Sequence, residues 1–107
     1  MLAVPSLSDL SLDFDATSST LSPQVQQKLD GLANQIKDTD MRLQIRGFAK
    51  GDDSDQSSAR RMALSRALSV RSYLMDKGIK PVRLDVRALG SETDQMPIDR
   101  VDLVFVR

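Results

Sequence analysis

Residues 57–77, SSARRMALSRALSVRSYLMDK, predict one long helix and decide the fold. At about 100° per residue, the small and apolar side chains of this stretch lie on one side and the serines on the other. The apolar side comprises Ala59, Ala63, Ala67, Val70 and Leu74. The polar side comprises Ser58, Ser65, Ser69, Ser72 and Asp76. Gly78 and Pro81 indicate the end of the helix, and the alanines predict that it lies close to a sheet.

Four segments around this helix alternate apolar and polar residues, which is the pattern of strands with one buried face. These segments begin at Leu10, Met41, Val82 and Val101. Another helix is predicted between the first two strands, because Ser22 is a suitable N-cap and Pro23 a suitable first helical residue. Its apolar positions at helical spacing are Val25, Leu29, Leu32, Ala33 and Ile36.

The order of elements is therefore β-α-β-α-β-β, which predicts an α+β fold. We expect an α/β sandwich in which two helices pack on one mixed four-stranded sheet. The two crossovers are expected to be parallel and the final pair of strands antiparallel. Residues 10–107 are interpreted as this one domain, whereas residues 1–9 show no sustained period and are interpreted as a linker or a lead-in from a longer protein.

Composition narrows the classes of function. Fifteen basic residues balance 15 acidic ones, which argues against nucleic acid as a partner. No apolar run approaches the roughly 20 residues of a membrane helix, so direct membrane insertion is not expected. Without Cys and His the chain lacks thiol nucleophiles, imidazole bases and most zinc ligands. We expect a non-catalytic domain without metal or cofactor, because the remaining Ser, Asp and Lys residues form no recognisable catalytic triad.

A more specific pattern lies within the long helix. The segment from Arg66 to Leu74, RALSVRSYL, followed by Gly78, resembles the R-A-x-x-V-x-x-Y-L-x-x-x-G stretch of OmpA C-terminal-like domains. Further matches are LDF at 12–14, IRG at 45–47 and DRVDL at 99–103, so the resemblance covers about residues 10–107. It implies a non-covalent peptidoglycan-binding domain that anchors a larger envelope protein to the cell wall. It also implies a periplasmic location, associated with the cell envelope or the outer membrane.

The resemblance also implies a ligand site. In the resembled family, an Arg on the second long helix and an Asp in the loop before it hold the diaminopimelate side chain of the peptidoglycan stem peptide. The matching Arg is Arg66, whose guanidinium suits the carboxylate of that ligand. The family's Asp aligns with Lys50, which would repel the ligand's ammonium group. Because the loop is one residue longer here, Asp53, and second to it Asp52, is expected to receive the ammonium group.

Two more candidates, Asp15 and Ser18, lie in the loop after the first strand. This loop lies at the carboxyl end of the sheet, where open α/β folds place ligands, and the resemblance implies that it lines the same groove. Each candidate also has a structural interpretation. Arg66 lies on the apolar side of its helix, where either a bound ligand or an internal salt bridge to an Asp would neutralise it. Asp52 and Asp53 precede a helix N-terminus, which stabilises carboxylates, and the loop after the first strand contains ordinary turn residues.

A rival function remains open at this point. Lys50 favours an OmpA-like fold with weakened or lost wall binding, which serves as a protein–protein assembly module for other envelope proteins. The retained Arg66 and the replacement acidic residues favour peptidoglycan as the partner. If Arg66 grips the ligand, Arg66→Ala is expected to abolish binding to sacculi and to leave the fold largely intact.

Overall fold

The helices and strands follow the predicted order. The computed structural model describes residues 10–15, 18–50, 56–91 and 97–106. The elements in these residues are β1 (Leu10–Asp13), α1 (Pro23–Ile36), β2 (Arg42–Phe48), α2 (Gln56–Asp76), a 3₁₀ turn (Pro81–Arg83), β3 (Leu84–Gly90) and β4 (Arg100–Val106). The predicted α+β fold, with two helices on one mixed four-stranded sheet, is confirmed for this part of the chain. The predicted lead-in at residues 1–9 lies outside the described residues.

The last strand lies inside the sheet. The strand order is β1-β4-β2-β3, with β2 parallel to β3 and β4 antiparallel to both β1 and β2. The strands β3 and β4 therefore run in opposite directions, as expected, but they are not neighbours. Leu103 of β4 stands opposite both Leu10 and Ile45 and is fully buried, which suits an inner strand. Alternation along a strand indicates its buried face and not its neighbours, so the sequence left the strand order open.

Helix α2 lies against the sheet through small residues. Its predicted apolar side is at most 2% exposed and consists of Ala59, Ala63, Ala67, Val70 and Leu74. A Cβ atom on Gly47 of β2 would lie 2.1 Å from the carbonyl oxygen of Ala63, so helix and strand approach at a point where only glycine fits. Among the described residues, no helix combines the length and the apolar character needed to cross a membrane.

The helix boundaries indicated by the sequence are also confirmed. Ser22 precedes α1, and its hydroxyl accepts a hydrogen bond from the N–H of Val25 at 3.2 Å. After α2, Gly78 adopts a left-handed φ of 98°, and the N–H of Ile79 donates to the carbonyl of Leu74 at 3.1 Å. Ile79 and Leu74 are both buried, so the closing turn of α2 also contributes to the core. The buried residues of α1 are the predicted ones, Val25, Leu29, Leu32, Ala33 and Ile36.

The third strand starts later than predicted. Val82, expected to be its first residue, lies in the 3₁₀ turn and is 73% exposed. Pro81 has a fixed φ and no N–H for a strand ladder, and the N–H of Arg83 donates back to the carbonyl of Lys80 at 3.0 Å. The apolar pattern therefore becomes a strand only from Leu84 onward.

Candidate ligand-binding site

The site is built around the buried side chain of Arg66. Arg66 lies on the sheet-facing side of α2 and is 0% exposed. Its side chain is one of the largest that are fully buried. The close approach of α2 to Gly47 brings the helix backbone near the carboxyl end of β2. A guanidinium in this position must be neutralised and hydrogen-bonded, because an unpaired buried charge is strongly unfavourable.

The guanidinium of Arg66 joins three separate segments within the described part of the chain. Nε donates to the carbonyl of Ser18 at 2.8 Å, and NH2 donates to the carbonyl of Asp15 at 2.7 Å. NH1 donates to the carbonyl of Phe48 at 3.0 Å and to Oδ1 of Asp99 at 2.9 Å. The loop after β1, the end of β2 and the residue before β4 are therefore held to one cation at the carboxyl end of the sheet.

Asp99 is the acidic partner that the sequence analysis missed. Its Oδ1 accepts hydrogen bonds from NH1 of Arg66 and from the backbone N–H of Lys50, the latter at 3.2 Å. Its own carbonyl accepts the N–H of Phe14 at 3.0 Å. The side chain of Asp99 is 21% exposed, whereas that of Arg66 is fully covered. The available signal was the DRVDL match at 99–103, which pointed to the segment and not to this residue.

The predicted site residues are brought together only in part. Arg66, Asp15 and Ser18 meet, but Asp15 and Ser18 contribute backbone carbonyls to Arg66. The side chain of Asp15 is exposed, and the hydroxyl of Ser18 accepts the N–H of Thr20 at 2.9 Å. The internal salt bridge that was one interpretation of Arg66 is present, with Asp99 as its acid. The remaining candidates, Asp52 and Asp53, lie outside the described residues.

A second buried arginine braces the segment that carries Asp99. Nε of Arg100 donates to both carboxylate oxygens of Asp102, at 3.0 and 3.1 Å, and NH1 donates to the carbonyl of Pro97 at 2.8 Å. The guanidinium lies 4.3 Å from the ring centroid of Phe48, a cation–π contact. Arg100 thus fixes the residues on both sides of Asp99 against the end of β2.

An open cleft adjoins this network. It has a volume of about 320 Å³ and lies between the end of β1 and the first turns of α1. Its charged lining consists of Asp13, Asp15 and Lys28. The cleft therefore offers a polar space beside the carbonyl contacts of Arg66, large enough for part of a peptide side chain.

A separate polar cluster joins the two helices away from this site. The hydroxyl of Tyr73 donates to Asp30 at 2.7 Å, and Nζ of Lys77 lies 3.3 Å from the same carboxylate oxygen. The hydrogen bond from Tyr73, and then the interaction with Lys77, lower the pKa of Asp30 despite some desolvation. The same hydrogen bond raises the pKa of Tyr73, and the bond with Asp30 raises the pKa of Lys77.

Several solved structures share this fold. The OmpA-like domain of FopA1 from Francisella tularensis matches with a TM-score of 0.80 and 18% identity, over 92% of this chain and 71% of that one. The peptidoglycan-associated lipoprotein from Burkholderia pseudomallei matches with a TM-score of 0.79 and 23% identity, over 90% and 89%. The periplasmic domain of Helicobacter pylori MotB matches with a TM-score of 0.70 and 22% identity, over 91% and 74%.

Sequence relatives give the family. Outer membrane protein A of Bordetella avium is 41% identical over 80 residues, which are 72% of this chain and 40% of the relative. Outer membrane protein A of Serratia odorifera is 31% identical over 86 residues, which are 78% of this chain and 35% of the relative. The chain thus spans well under half the length of these relatives. Residues 13–100 match the model of the OmpA family, and the chain therefore belongs to the OmpA family.

Proposed function

We propose that this domain binds peptidoglycan non-covalently, recognises the diaminopimelate side chain of the stem peptide, and anchors a larger envelope protein to the cell wall. The observation that carries the proposal is the pairing of the Arg66 guanidinium with the Asp99 carboxylate at 2.9 Å, at the carboxyl end of the sheet. A free diaminopimelate end has one carboxylate and one ammonium group, which require a guanidinium and a carboxylate as partners.

The family and the relatives support this proposal. The OmpA family comprises structural binding domains, so the chain is not an enzyme. The sequence relatives are outer membrane proteins, which supports association with the envelope, and we propose a periplasmic position for this domain. One structure of the same fold is named as a peptidoglycan-associated lipoprotein, which supports the choice of ligand.

The burial of Arg66 determines how a ligand reaches it. The side chain is 0% exposed, so a ligand carboxylate contacts the guanidinium only in exchange for one of its present acceptors. Among the described residues, three acceptors are backbone carbonyls, of Asp15, Ser18 and Phe48. The described acceptor that is a side chain is the carboxylate of Asp99, which moves by rotation about its own bonds. We therefore propose that the ligand carboxylate takes the place of the Asp99 carboxylate on Arg66.

The other residues predicted from the sequence are proposed to surround the ligand where it binds Arg66. The loop of Asp15 and Ser18, whose carbonyls already bind Arg66, forms one wall of the groove beside the adjoining cleft. Asp53, and second to it Asp52, follow β2 in the sequence and remain candidates for contact with the ligand's ammonium group.

Co-sedimentation with purified sacculi tests the proposal. The domain is expected to pellet with sacculi that contain diaminopimelate, and a soluble stem peptide ending in diaminopimelate is expected to release it. Sacculi with lysine in place of diaminopimelate are the matched control and are expected to retain less protein, because lysine lacks the side-chain carboxylate. A domain that stays in the supernatant with diaminopimelate sacculi would refute wall binding.

One observation favours a second candidate function. Arg66 is fully buried and already paired with Asp99, and the exposed Lys50 places a positive charge at the same end of the sheet. A domain whose guanidinium never leaves its internal partner would keep the fold and act as a protein–protein assembly module in the envelope. Failure to bind sacculi together with a stable fold is the outcome that supports this alternative.

A further inference from the structure

The acidic side chain next to Arg66 has an assignable role in recognition. We infer that Asp99 receives the ammonium group of the bound side chain and so determines the preference for a ligand that carries both an ammonium group and a carboxylate. The inference rests on the proposed function. It gives the binding of the ligand's ammonium group to a residue that the sequence patterns did not indicate.

Accessibility is the first argument. Within the ion pair, Arg66 is 0% exposed and Asp99 is 21% exposed, so an incoming ligand meets the carboxylate first. The Oδ1 atom accepts from Arg66 and from the N–H of Lys50. The Oδ2 atom has no hydrogen-bond partner among residues 10–15, 18–50, 56–91 and 97–106. A positively charged donor is the partner that best satisfies such an oxygen.

Placement is the second argument. Asp99 is fixed by the carbonyl contact with Phe14, and by Arg100, which holds Pro97 and Asp102 on either side of it. Its carboxylate is hydrogen-bonded to the backbone N–H of Lys50. Negative charge is therefore supplied beside residue 50 from a different segment of the chain, which offsets the positive charge that Lys50 carries there. An ammonium group near Lys50 would otherwise be repelled.

Charge balance is the third argument. In the free domain Asp99 neutralises Arg66, and the two charged groups of the ligand are solvated. When the ligand carboxylate replaces Asp99 on Arg66, the displaced Asp99 pairs with the ligand's ammonium group a short distance away. Two ion pairs then replace one, and no buried charge is left without a partner, which is the condition for a buried pair to be favourable.

The test compares the affinities of two ligands for the parent and for variants in which one Asp is replaced by Asn. The ligands are a synthetic stem peptide ending in diaminopimelate with its side-chain amino group free and the same peptide with that group acetylated. The parent is expected to bind the free form about ten to a hundred times more tightly, since a charged hydrogen-bonded pair is lost on acetylation. Asp99→Asn is expected to bring the ratio of the two affinities close to one.

Asp85→Asn is the control. Asp85 is 56% exposed and pairs with Arg87 on β3 at 3.2 Å, so its substitution removes a carboxylate without altering the segment that carries Asp99. Asp85→Asn is expected to keep the parent's ratio, and Asp53→Asn is expected to change the ratio less than Asp99→Asn does. A ratio unchanged in Asp99→Asn, or lost in Asp53→Asn while Asp99→Asn keeps it, would overturn the inference.

Two further outcomes separate this inference from the proposed function. A parent that binds sacculi but binds both peptides equally retains wall binding and refutes the role of Asp99. A parent that binds neither peptide nor sacculi refutes both. The amide proton of Lys50, which donates to Asp99, gives a readout without any substitution, should Asp99→Asn fold poorly. Its NMR signal is expected to shift with the free peptide and much less with the acetylated one, and equal shifts would contradict the inference.

Discussion

Arg66 and Asp99 form an ion pair of 2.9 Å between residues that are 33 positions apart in the sequence. The pair connects the middle of α2 to the residue before β4, and the same guanidinium also holds the end of β2 and the loop after β1. The side chain proposed to bind the ligand therefore also holds the fold together, which changes what a substitution there is expected to do.

Arg66→Ala is expected to lower the free energy of unfolding by about 3 to 5 kcal/mol, because it leaves a carboxylate and three carbonyls at the end of the sheet without their donor. The sequence suggested a largely intact fold, and the buried network reverses that expectation. Urea unfolding measures the loss. Arg87→Ala is the control, because Arg87 is 59% exposed and its pair with Asp85 is worth less than about 1 kcal/mol. Equal losses in the two variants would show that the network is not structural.

Gly47→Ala is expected to destabilise the domain by about 1 to 3 kcal/mol or more, because the added Cβ would lie 2.1 Å from the carbonyl oxygen of Ala63 and force α2 off the sheet. Thermal unfolding is a suitable measurement. Gly31→Ala is the matched control within α1, where a Cβ atom would have nothing within 4 Å. That variant is expected to gain up to about 1 kcal/mol from helix propensity. A neutral Gly47→Ala would mean that α2 and β2 lie further apart.

Leu74→Ala is expected to destabilise the domain by about 2 to 5 kcal/mol, since Leu74 is 0% exposed and its truncation leaves a cavity in the core. Ser69→Ala is expected to change stability little, because Ser69 lies on the polar side of α2 and, within the residues that the structure describes, its hydroxyl donates only to the carbonyl of Ser65. Chemical denaturation of both variants checks the orientation of α2. Similar losses would indicate a helix rotated about its axis.

Tyr73→Phe is expected to raise the pKa of Asp30 toward its ordinary value of 3.8, because the hydrogen bond from Tyr73 is the main cause of its lowering. A lowered pKa in the folded state stabilises the fold above the unfolded pKa, and this contribution is lost as the pH falls through the folded pKa. The variant should therefore lose less stability than the parent on acidification.

NMR titration of the Asp30 carboxylate measures this pKa directly. Lys77→Ala serves as the comparison and is also expected to raise the pKa of Asp30, because the hydrogen bond and the charge of Lys77 both lower it. An unchanged pKa of Asp30 in Tyr73→Phe would contradict the assignment of the main cause.

Local sequence patterns predicted most of the fold. The spacing of Val25, Leu29 and Ile36 predicted the buried face of α1, and the alanines predicted the close approach of α2. Gly78 predicted where α2 ends. These features depend on residues within a few positions of one another, so helical period, capping and the left-handed conformation of glycine are enough to infer them.

Long-range contacts decided the rest. The place of β4 between β1 and β2 depends on strand pairing, which alternation along one strand does not encode. Arg66 was predicted from the sequence as a candidate residue on the apolar side of its helix, but its partner Asp99 was not predicted, because only the folded sheet brings the two segments together. Asp15 and Ser18 were predicted to line the ligand groove; they contact Arg66 through backbone carbonyls, which every residue type possesses. The sequence therefore determined that α2 carries the buried positive charge of Arg66. Tertiary packing determined which groups neutralise that charge, because a buried guanidinium takes its acceptors from whatever segments the fold brings within hydrogen-bonding distance.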